Sequence, residues 1–78
     1  MNIEKVVNQL SNNLLTSLNL KYTKIGDKGM KHLSKALECN TSLTSLNLWG
    51  NNIGDEGMKY LSKALEHNAS LTEIGLYW

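Results

Sequence analysis

The residues able to do covalent or acid–base chemistry are few and widely spaced. Cys39 is the single thiol, and His32 and His67 are the two imidazoles. A cysteine nucleophile needs a base held against it. His32 precedes Cys39 by seven residues, about 10 Å along a helix, too far for direct pairing. The same three side chains lack the tight spacing of a zinc ligand set. Asp27 and Asp55 are 28 positions apart, so they make no acid/base pair. Each precedes a helical stretch and reads as an N-cap, a short carboxylate accepting the free N–H groups of a first turn. The stretch GNNIGDEG lacks the GK[ST] ending of a phosphate loop, and its glycines serve turns. Asn40-Thr41-Ser42 and Asn68-Ala69-Ser70 match the glycosylation pattern, but no secretion signal accompanies them and they read as turn residues. Neither a catalytic site, a metal site nor a cofactor site is expected.

What positions these residues is a repeat. Leu43 to Ser70, LTSLNLWGNNIGDEGMKYLSKALEHNAS, restates Leu15 to Ser42, LTSLNLKYTKIGDKGMKHLSKALECNTS, with about 20 of 28 positions identical. A third copy opens at Leu71 with LTEIGLYW. Self-similarity at a period of this length marks a solenoid. Within each copy, alternation predicts short strands at 16–20, 44–48 and 72–76, with Leu18 and Leu20 facing one way and Ser17, Asn19 and Lys21 the other. Helices are predicted over 28–39 and 56–67, burying Met30, Leu33, Ala36 and Leu37, then Met58, Leu61, Ala64 and Leu65. Asn40 and Asn68 are expected to end them in a left-handed conformation. Ile3, Val6, Val7 and Leu10 share one helical face, which makes residues 2–11 the helix of a degenerate first repeat. The domain divides as 1–14, an N-terminal capping helix; 15–42 and 43–70, two repeats; and 71–78, a partial third. Strands sit about 4.8 Å apart and helix axes about 8–10 Å apart. Parallel strands therefore line the concave side of this α/β solenoid, and helices the convex side.

Leu15, Leu18, Leu20 and Ile25, with Leu43, Leu46, Leu48, Asn51 and Ile53, and then Leu71, Ile74 and Leu76, form the pattern L-x-x-L-x-L followed by I-G-D. It resembles the leucine-rich repeats of the ribonuclease-inhibitor type, also carried by cytosolic nucleotide-binding immune receptors. The resemblance covers residues 15–78 and is specific for fold. It implies that Asn51 bonds the backbone of neighbouring turns, with Thr23 a poorer substitute. Inhibition of ribonucleases does not carry over, because that would call for a cysteine-rich, acidic and much longer horseshoe. The scaffold serves unrelated partners.

The outward strand positions form three rungs: Ser17, Ser45 and Glu73; Asn19, Asn47 and Gly75; Lys21, Trp49 and Tyr77. Aromatic side chains that project away from a core are typical interface anchors, and Tyr22 and Trp78 extend the patch. The partner-binding residues are thus expected to be Ser17, Asn19, Lys21, Ser45, Asn47, Trp49, Glu73 and Tyr77, with a protein as partner. The formal net charge of +1 gives no argument for nucleic acid or membrane. A lone cysteine and the lack of a long apolar run favour the cytoplasm. The alternative function is a self-assembly unit, or a fragment of a longer repeat protein. For it, the strand at 72–76 offers an open edge, expected to pair with its own copy as a two-fold homodimer.

Overall fold

The computed structural model describes residues 2–76. Helix α1 (Ile3–Ser11) leads into β1 (Ser17–Asn19), α2 (Gly26–Cys39), β2 (Ser45–Asn47), α3 (Asp55–His67) and β3 (Glu73–Gly75). The strands form one parallel sheet in the order β1-β2-β3, in the register Ser17↔Ser45↔Glu73, Leu18↔Leu46↔Ile74 and Asn19↔Asn47↔Gly75. Each register step is one sequence period, so identical positions stack on one another.

One core lies between the sheet and the helices. Leu20, Ile25, Met30, Leu33 and Leu37 of the first repeat meet Leu43, Leu46, Leu48, Ile53, Leu61 and Ala64 of the second, with Val6 and Leu10 of α1 closing one end. In α3 two predicted core residues differ from their counterparts in α2. Met58 is only half-buried and Leu65 is 39% exposed, whereas Met30 and Leu37 are sealed. The reason is position: α3 covers α2, and no described helix covers α3. Ala36 is half-buried and packs against the core edge.

The helix termini correct the sequence reading. Asp27 is not the N-cap of α2, since that position is Ile25, and the N-cap of α3 is Gly54; neither makes a side-chain cap bond. Gly26, at φ +65°, turns the chain so that the helix begins before Asp27. Its carboxylate instead accepts the Gly54 N–H of the next repeat at 2.6 Å. Asp55 is the first residue of α3. Nor are Asn40 and Asn68 left-handed: both are extended, with ψ of 135° and 123°. Their side chains bind repeats together. The Asn40 amide donates to the Leu10 carbonyl at 2.7 Å, and the Asn68 amide to Leu37 and Asn40 at 2.8 and 3.0 Å. Their carboxamide oxygens accept from Leu43 and Leu71 N–H at 2.8 Å each. Both glycosylation-type asparagines thus hold the turns that follow them and at the same time tie neighbouring repeats together.

Apart from Asn13, in the turn after α1, the left-handed residues lie between strand and helix. Tyr22 and Gly50, one period apart, have φ of 55° and 68°; Lys24 and Asn52, also one period apart, have 56° and 53°. Asn51 holds this loop in place. Fully buried, it accepts from Thr23 N–H at 2.9 Å and Ile25 N–H at 3.3 Å, and donates to the carbonyls of Leu20 and Leu48 at 2.6 and 3.0 Å. Thr23 donates its hydroxyl to Leu20 and to the same Asn51 oxygen. The expected bracing by Asn51 is therefore present.

Candidate functional site

Alternation along each strand turns Ser17 and Asn19, Ser45 and Asn47, and Glu73 away from the core, and the parallel register sets them in two straight rungs. The Ser45 hydroxyl approaches the Glu73 carboxylate at 3.4 Å. Asn19 and Asn47 have a second role. Each carboxamide oxygen accepts the N–H two residues on, from Lys21 and Trp49, both at 3.0 Å. This turns the chain out of the strand and aims the next side chains over the rim of the sheet.

At that rim Lys21, Tyr22 and Trp49 come together. The Lys21 ammonium lies 5.7 Å from the ring centres of both Tyr22 and Trp49, within the range where a cation is drawn to an aromatic face. Tyr22 is 67% exposed and Trp49 40%, so both rings reach solvent while part of each rests on the protein. Two glycines make this arrangement fit. A side chain at Gly50 would collide with the Tyr22 ring, and one at Gly75 would lie 2.8 Å from the Trp49 indole nitrogen. Each ring thus covers a glycine of the following repeat. Tyr22 N–H bonds the Trp49 carbonyl at 2.8 Å, which ties the loops together beneath the rings.

Ser17, Asn19, Lys21, Ser45, Asn47, Trp49 and Glu73 therefore share one face. Tyr77, the remaining predicted site residue, and Trp78 lie outside the described residues. The sequence reading did not pair the Lys21 ammonium with the two rings, nor match Tyr22 to Gly50. The available signal was the repeat alignment itself, in which a bulky residue at one position is answered by glycine one period later.

Cys39 is exposed at the far end of α2. Among the described residues no group of three or more His, Cys, Asp or Glu is arranged to hold a metal ion, and no helix is long and apolar enough to cross a membrane.

A family model described as a leucine rich repeat matches residues 11–34 and 39–62. No curated protein matches the chain.

Proposed function

Because the chain belongs to the leucine-rich repeat family, we propose that it is a protein-interaction module that binds through its concave strand face, as a unit of the ribonuclease-inhibitor type. The observation that carries this reading is Trp49: a large ring 40% exposed, backed by Gly75 and flanked by Lys21. An aromatic side chain already fixed in place loses little conformational freedom on binding, which is what makes such residues anchors. Asn19, Asn47, Ser17, Ser45 and Glu73 supply a polar surround that a partner's backbone can bond, and Tyr77 is assigned to the same rim by its period. The partner is a protein, in the cytoplasm by the reading of the lone exposed Cys39.

The test is to select peptide binders from a random display library on the whole chain and measure their affinity for variants. Trp49→Ala should weaken a selected binder about 30-fold, the equivalent of about 2 kcal/mol. Lys35→Ala and Lys63→Ala, on the helices, should change affinity by less than about twofold, as exposed lysines away from an interface contribute little. The opposite ranking would reject the concave site.

A second reading, self-assembly through β3, is favoured by the half-buried Ile74 of that strand and Leu71 and Leu76 on either side of it.

A further inference from the structure

The outward rungs break their own pattern at two positions, and both fall in one place. By register Ser17 and Ser45 are followed by Glu73, and Asn19 and Asn47 by Gly75. The step from β2 to β3 therefore adds a charge and removes a side chain. The result is a cleft of about 230 Å³ on the outward face of the sheet, lined by Ser45, Asn47, Glu73 and Gly75 with Leu46 and Ile74. Gly75 keeps it open. A Cβ there would lie 2.8 Å from the Trp49 indole nitrogen and 3.2 Å from the Asn47 carboxamide oxygen, so any side chain would enter the space between them.

The cleft collects acceptors. The Asn47 carboxamide oxygen takes the Trp49 N–H at 3.0 Å and, as a carbonyl, has a second lone pair. The exposed Glu73 carboxylate takes the Ser45 hydroxyl through one oxygen, at 3.4 Å. Among the described residues Glu73 makes no ion pair, the pair that forms being Lys59 with Glu56 on α3.

The charge layout points the same way. Of the outward positions 17, 19, 21, 45, 47, 49, 73 and 75, only Lys21 and Glu73 are charged. The other charged side chains of residues 2–76 lie on the three helices, apart from Lys24 in the loop before α2. Lys21 stands at the β1 side of the face, and its ammonium is already drawn to the Tyr22 and Trp49 rings. The charge left for a partner to neutralise is that of Glu73.

We propose that this cleft takes a basic side chain, Lys or Arg, from the protein partner. The cation sits against the Glu73 carboxylate and shares its remaining N–H donors with the Ser45 and Asn47 oxygens. This rests on the concave-face reading above and names what that face selects. Ammonium and guanidinium groups carry several donors and no acceptor, which matches a cleft of acceptors. An acidic side chain would meet Glu73 as a like charge, and an apolar one would desolvate the carboxylate without pairing it. Lys21 repels a second cation, so the basic residue is held to the β3 side of the face.

A double-mutant cycle with peptides selected from a display library on the whole chain tests this. Selected binders should carry a Lys or Arg whose replacement by Gln weakens binding about fivefold, the equivalent of about 1 kcal/mol for an ion pair that keeps access to water. Glu73→Gln, with a circular dichroism spectrum like that of wild type, should weaken the parent peptide by the same factor and leave the Gln peptide nearly unchanged. Glu66→Gln, on α3, should alter neither. A Glu73→Gln variant that binds the parent peptide as wild type does, or that weakens both peptides equally, would overturn the proposal. Trp49→Ala separates this failure from that of the underlying reading. If Trp49→Ala weakens binding and Glu73→Gln does not, the concave face binds without this cleft; if neither does, the concave site itself is wrong.

Discussion

Asn51 and Ser34 show how much depends on whether a buried polar atom is answered. Asn51 satisfies backbone groups of two repeats at once. Its loss leaves several buried N–H and C=O groups without partners, at about 1–3 kcal/mol each, against a total stability of about 5–15 kcal/mol for a whole domain. Asn51→Ala should therefore be unfolded or molten at room temperature, which circular dichroism and near-ultraviolet spectra would show. A cooperative melt close to wild type would mean that water replaces the amide at no cost. Ser34 is the reverse case. It is buried in the middle of α2, and its hydroxyl makes no hydrogen bond. Ser34→Ala removes that stranded group and improves helix propensity, so the melting temperature should rise, by an amount equivalent to about 1 kcal/mol. A fall would show that the hydroxyl has a partner in solution.

Among the elements, the loops between strand and helix carry the difference between the two repeats. The second repeat places Gly50 and Asn52 at its left-handed positions, while the first places Tyr22 and Lys24 there. A non-glycine residue pays about 1–2 kcal/mol for this conformation, and asparagine less. Lys24→Asn, borrowing the residue of the second repeat, should raise stability by up to about 1 kcal/mol in a urea titration, and an unchanged or lower midpoint would contradict that account. The strands make a sharper contrast. Leu46 is 1% exposed and its neighbour Thr44 lies in the open. Leu46→Ala should cost about 2–5 kcal/mol and Thr44→Ala far less, so equal melting temperatures would refute the inward and outward assignment. Strands and helices were legible in the sequence because alternation along Leu43–Leu48 and the spacing of Met30, Leu33 and Leu37 are local patterns. The termini were not. Asp27 looks like a cap from its neighbours alone, but its bond goes to Gly54, 27 residues away. Asn40 likewise reaches beyond its own turn, its amide donating to the Leu10 carbonyl 30 residues away. The outward rungs could be read from the period, whereas the Lys21 bridge between Tyr22 and Trp49 depends on side-chain directions that no spacing encodes.

For the whole molecule, the parallel register of β1, β2 and β3 turns a repeated sequence into a repeated surface, with polar rungs along the sheet and aromatic rings at its rim. The helices cover the opposite side. Their outer grooves, such as the one lined by Asp55, Met58, Lys59, Ser62, Lys63 and Glu66, carry four charged side chains that water solvates well. A partner gains more from desolvating Trp49 and Tyr22 than from desolvating those lysines and acids. The most direct measurement is a two-dimensional nitrogen–proton NMR titration of the whole chain with a display-selected peptide binder. The account predicts shifts in the Trp49 indole N–H and in the amides of residues 19–22 and 47–50, with α2 and α3 amides around Lys35 and Lys63 unmoved. Shifts confined to the two helices, with the Trp49 indole unchanged at saturation, would contradict it.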